Sequence, residues 1–91
     1  MFNFFIRKKT AALELEVRVH SRSGLVFNGQ ARAISAANEV GVFDILPMHS
    51  RFVATFSGDL TIHQGKTQKK LDLNGGVIRV VDNRVEIFVG A

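Results

Sequence analysis

Three histidines, at positions 20, 49 and 63, are the side chains of this sequence best suited to acid–base or metal chemistry. None stands three or four residues from another, so the local spacing of a metal site is absent and no metal is expected. Serine, histidine and aspartate all occur, yet there is no G-x-S-x-G elbow to hold a nucleophile on a strained strand-to-helix turn. Gly75-Gly76 comes nearest to a phosphate loop, but no helical pattern follows it to hold an anion at its N-terminus. With 0 cysteines, thiolate catalysis, disulfides and cysteine-based zinc are excluded. The expectation is a protein with no catalysis and no cofactor of its own.

Binding is the remaining class of function. Twelve basic and eight acidic residues give a net charge of +4, compatible with a nucleic acid, an anionic membrane surface or an acidic protein partner. Small barrels that bind oligonucleotides stack bases on exposed aromatic residues beside cations. This chain has no Trp or Tyr, and Phe27, Phe43, Phe52 and Phe56 stand in apolar surroundings that suggest a core. Lys66, Lys69 and Lys70 cluster on one hairpin, where lysines commonly guard a sheet edge. A nucleic-acid partner is therefore not expected. A stand-alone small β-sandwich or barrel module, acting as an adaptor or nucleic-acid binder, is the alternative reading.

The elements that must position any binding site are strands. Leu13, Leu15, Val17 and Val19 alternate with Glu14, Glu16, Arg18 and His20, a strand with one dry face and one wet face. Turn residues at 21–24 lead into a short strand at 25–27, which Asn28-Gly29 is expected to stop. A small, alternating strand covers 31–37, and Asn38-Glu39-Val40-Gly41 turns the chain. Leu60 and Ile62 alternate with Thr61 and His63; Gly65-Lys66 and Asp82-Asn83 are hairpin turns; further strands fall at 52–56, 77–81 and 84–89. Short strands at this spacing, with no helical period, give an all-β antiparallel sandwich or small barrel. Ninety-one residues, 46% of them hydrophobic, suffice for one such domain, placed at 13–91 behind an apolar and basic arm at 1–12. The arm is too short to span a bilayer and reverses the order of a secretory signal. It either folds back on the body or makes a small amphipathic contact with a partner or membrane.

The stretch 41–49, Gly-Val-Phe-Asp-Ile-Leu-Pro-Met-His, organises the rest. It carries the only proline, so a sheet ladder must stop there in a fixed bend, with Phe43, Ile45 and Leu46 as core candidates. Rigid loops on a sheet scaffold are where binding usually resides.

The run Gly-x-Phe-x-Ile-Leu-Pro-x-His resembles the signature loop of the epsilon subunit of rotary F-type ATP synthases, whose mitochondrial counterpart is called delta. Val26-Phe27-Asn28-Gly29, Gly58-Asp59-Leu60-Thr61-Ile62, Asn74-Gly75-Gly76-Val77-Ile78-Arg79-Val80 and Arg84-Val85-Glu86-Ile87 resemble flanking pieces of that family in the same order. The resemblance implies a ten-stranded antiparallel β-sandwich, the N-terminal domain of a non-catalytic rotor subunit. Such a domain bridges the gamma subunit and the membrane c-ring and so couples ion-driven rotation to ATP synthesis, reaching the catalytic alpha/beta hexamer indirectly. It implies c-ring contacts at Asn38, Glu39, Val40, Val42 and Asp44, and gamma-subunit contacts at Ser21, His49, Ser50, Arg51 and Ala54. It also implies peripheral association with the cytoplasmic face of a bacterial inner membrane. Two positions depart from the family pattern: Met48 stands where a small residue, often glycine, precedes the histidine, and Val42 where an acidic residue is common. The family usually continues into two C-terminal helices that inhibit ATP hydrolysis. Taken as it stands to Ala91, the chain is expected to lack them.

Overall fold

The computed structural model describes residues 14–48 and 51–90; the arm at 1–12, Leu13, His49, Ser50 and Ala91 lie outside it. Nine strands follow in order: β1 (Leu15–Ser21), β2 (Gly24–Ala31), β3 (Ala33–Asn38), β4 (Gly41–Ile45), β5 (Phe52–Phe56), β6 (Asp59–Gln64), β7 (Thr67–Asp72), β8 (Gly76–Val81) and β9 (Arg84–Phe88). They form two sheets, a five-stranded one ordered β2-β1-β9-β8-β5 and a four-stranded one ordered β4-β3-β6-β7. The expected β-sandwich is present. Alternation along the strands sends Val17, Ile34, Ile62, Ile78 and Ile87 into the space between the sheets, where each is 0% exposed. Each such burial stabilises by about 1.5–3 kcal/mol. No polar or charged residue among the described ones is buried with them.

Turn chemistry closes the hairpins as expected. Asp82 and Asn83 adopt φ of 51° and 63°, the double left-handed pair of a two-residue turn whose twist matches the flanking strands. Gly65, at φ 69°, opens the two-residue turn between Gln64 and Thr67.

Three local expectations change. Asn28-Gly29 does not stop β2: Asn28 pairs with Arg18 and Gly29 with Val17, and the ladder continues to Ala31. An Asn-Gly pair turns a chain only where both flanking segments can pair with each other, and here β1 already occupies that edge. The strand expected at 31–37 is divided at Arg32, because Ala31 ends β2 in one sheet and Ala33 starts β3 in the other. Leu46 is 50% exposed, since Ile45 already takes the inward position and successive side chains of a strand face opposite ways.

One pair departs from the antiparallel pattern. β1 lies beside β9 in parallel register, Val17 opposite Val85 and Val19 opposite Ile87. No hairpin joins β1 to β9; they meet as neighbours inside the five-stranded sheet and run the same way there.

Candidate interaction site

The strand directions divide the molecule into two ends. One carries the Glu39-Val40 turn between β3 and β4; the other carries the bend after β4 and the Asp82-Asn83 turn. The c-ring positions inferred from the sequence begin at the first end, and the proline bend lies at the second. A five-residue strand separates them, roughly 15 Å at 3.3 Å per residue. The stretch 41–49 is thus an edge strand plus a bend, with its two functional parts at opposite ends.

Asn38 fixes the first end. Its Oδ1 accepts from the backbone N–H of Val40 (2.9 Å) and Gly41 (3.4 Å), and its Nδ2 donates to the Thr55 carbonyl oxygen of β5 (3.2 Å). Beside it, Ser57 N donates to Ala37 O at 2.8 Å, a second link between β3 and the segment that follows β5. The turn so held projects apolar surface, with Val40 92% exposed and Val42 82%. An open groove of about 290 Å³ runs beneath it, lined by Asn38, Val40, Val42, Phe43 and Ala54. Ala54, assigned to gamma from the sequence, therefore shares a groove with three residues assigned to the c-ring. Glu39 flanks a second groove with Asn38, Thr55 and Ser57.

Asp44 lies further along β4 on the outer face. It accepts a 2.7 Å hydrogen bond from Ser35 Oγ, which in turn lies 2.8 Å from His63 Nε2. Because the serine proton is directed at the carboxylate, Ser35 accepts from the His63 Nε2–H. A Ser-His-Asp hydrolase needs the imidazole between the other two, where it can take the serine proton. Here the serine is in the middle, and the chain is a brace across β4, β3 and β6. Residues 35, 44 and 63 carry no spacing signal in the sequence; only the register that sets Ser35 opposite Asp44 and Ala33 opposite His63 joins them.

At the second end Met48 adopts φ 69°, a left-handed conformation that glycine takes without cost and a side chain does not. The departure noted in the sequence thus falls on the residue whose backbone asks for glycine. Asn83 holds it: Met48 N donates to Asn83 Oδ1 at 2.6 Å, and Asn83 Nδ2 donates to the Met48 sulfur at 3.6 Å. Arg51 faces Asp82 at 3.7 Å, with both side chains more than two-thirds exposed. Ser21 is at the far end of β1, its hydroxyl donating to Gly24 O at 3.1 Å. His49 and Ser50 lie outside the described residues. Of the gamma positions that are described, Ser21, Arg51 and Ala54 are not brought together.

The lysine cluster is partly engaged within the molecule. Lys70 Nζ is 3.1 Å from Asp59 Oδ2, and Lys69 lies over the Phe27 ring at 5.8 Å from its centroid. Phe27 thus packs between its own core and a cation, and offers no free face for a base.

The described residues present a two-sheet body, a braced outer face and a fixed apolar turn. The model of the ATP synthase delta/epsilon chain beta-sandwich domain matches residues 14–91, and the chain belongs to that family. The ATP synthase epsilon chain of Leptospira borgpetersenii is 36% identical over 78 residues, covering 85% of this chain and 61% of that one. That of Leptospira interrogans is 33% identical over 79 residues, covering 86% and 62%. The chain thus spans about three fifths of the length of these relatives. A chain of the Euglena gracilis mitochondrial ATP synthase, solved as an OSCP/F1/c-ring assembly, shares the fold, with a TM-score of 0.77 at 20% identity over 86% of this chain and 51% of that one.

Proposed function

We propose that this chain is a non-catalytic rotor subunit of a rotary F-type ATP synthase, set in the central stalk between the gamma subunit and the membrane c-ring. Asn38, Glu39, Val40 and Val42 meet the c-ring, with Asp44 extending that surface along β4. His49, Ser50, Arg51 and Ala54 meet gamma; Ser21, at the opposite end of the body from Arg51, is an outlying contact. The complex holds the domain peripherally at the cytoplasmic face of a bacterial membrane, and rotation reaches the alpha/beta hexamer through gamma.

The observation that carries this reading is the fixed, apolar turn: Val40 and Val42 stand out to solvent on a turn that Asn38 ties to Val40 N and to the Thr55 carbonyl oxygen of the opposite sheet. Torque passes through a contact only if the contact does not yield, and a braced turn on a rigid sandwich meets that need. The names of the relatives and the assembly in which the structural neighbour was solved support the same reading.

A tagged form of this 91-residue chain, drawn from its native membranes at moderate salt, should bring down gamma together with c-ring and catalytic subunits on mass spectrometry. Recovery of none of them, or of nucleic acid in their place, overturns the proposal.

A further inference from the structure

The outer face of the five-stranded sheet carries an apolar row that the rotor reading does not use. Leu25, His20, Phe88 and Val77 are successive partners across β2, β1, β9 and β8, so their side chains share that face. Leu25 is 53% exposed, Phe88 43% and Val77 38%, and the bulged residue Val26 adds another 49%. The His20 ring stacks on Phe88 at 5.0 Å and 14°, which extends the row as a flat surface. Four strands at about 4.8 Å spacing make it roughly 15 Å wide.

We propose that residues 1–12 fold back along this face and cover the row with Phe2, Phe4, Phe5 and Ile6. Three observations favour this occupant. The family match begins at residue 14, so the arm lies outside the matched sandwich. Its reach suffices: His20 lies six residues beyond Glu14 along β1, about 20 Å, and the nine residues from Glu14 back to Phe5 span up to about 30 Å. The order also matches. Reading away from Glu14, the arm presents Lys9, Lys8 and Arg7 and then its apolar residues, while the face presents Glu14 and Glu16, then Arg18 with Glu86, then the apolar row. Arg79 and Arg84 share the face, so the apolar row anchors the arm and the charges set only its direction. The row lies at the end of the exposed turn, since Val77 pairs with Thr55, whose carbonyl oxygen accepts from Asn38, and a lipid surface is therefore the competing occupant that the test must separate from the arm.

Trypsin cleavage at Arg7, Lys8 and Lys9 of the full chain tests the proposal, because cleavage follows the population of the open form. The Phe4→Ser/Phe5→Ser variant should be cut about tenfold faster than the parent chain, as should Phe88→Ser and Val77→Ser. Gln68→Ala, on the other sheet, should not change the rate. Far-ultraviolet circular dichroism confirms that each variant is folded. Equal rates for the parent and the Phe4→Ser/Phe5→Ser variant overturn the proposal, as does release by Met48→Ser in place of Phe88→Ser. Protection that arises only on adding phosphatidylglycerol vesicles also overturns it and assigns the arm to a lipid surface.

Discussion

Asn38 on β3 donates from Nδ2 to the carbonyl oxygen of Thr55 on β5, 3.2 Å away, and so joins the end of an inner strand of one sheet to the edge strand of the other at the base of the exposed turn. The same side chain accepts from Val40 N and Gly41 N. Each bond is at the surface and contributes modestly, about 0.5–1.5 kcal/mol net. Asn38→Ala should therefore destabilise by about 1–2 kcal/mol. Its more specific effect should be faster amide exchange at Val40 and Gly41, with the core strands unchanged. Uniform acceleration across the domain would show that Asn38 supports global stability and has no particular role in the turn.

The valines that Asn38 holds out should matter to assembly and very little to folding. Val40 and Val42 bury almost nothing, and surface changes of this kind usually stay within about 0.5 kcal/mol. Val40→Asp/Val42→Asp should keep the melting temperature and markedly reduce co-purification of c-ring subunits, because it sets two charges in an apolar contact. Capture equal to the parent's would remove the turn from the interface.

Met48 offers a test with the opposite sign. At φ 69° a methionine carries left-handed strain of about 1 kcal/mol that a glycine would relieve, offset in part by the greater freedom glycine has in the unfolded chain. Met48→Gly should leave stability unchanged or raise it by up to about 1 kcal/mol, measured by urea unfolding. The side chain is 71% exposed, so little packing is lost. A clear destabilisation would mean that the Met48 sulfur accepting from Asn83 Nδ2 outweighs the strain.

The period-two alternation of β1 and the turn residues at 65–66 and 82–83 made the strands and the sandwich legible, because both are local signals. The parallel pairing of β1 with β9 was not, since it depends on which strands share a sheet and joins residues almost the whole chain apart. The same limit explains the Ser35–Asp44–His63 brace, which exists only through register. Asn28-Gly29 misled because a local turn signal yielded to a long ladder already available on β1. The family loop was legible from 41–49 as a motif. That it comprises an edge strand with functional parts at both ends required the backbone path.

Gly75 and Gly24 separate two kinds of glycine requirement. Gly24 has φ 130° and open space where a Cβ would stand, so Gly24→Ala bears only conformational strain, about 1–3 kcal/mol. Gly75 has φ 88°, and a Cβ there would sit 2.7 Å from the Phe56 carbonyl oxygen and 3.2 Å from Ser57 Cα. Those are backbone atoms that cannot swing aside. Gly75→Ala should therefore cost distinctly more, about 2–4 kcal/mol, a large share of what a domain of this size possesses. The displaced segment includes Ser57, whose N–H reaches Ala37 at the base of the exposed turn. Any folded fraction of Gly75→Ala should accordingly show faster exchange at Ser57 and a weaker hold on stalk partners, whereas Gly24→Ala should show neither. Equal losses from the two substitutions would mean that the corner at 56–58 and 75 adapts, and that the turn is held by Asn38 alone.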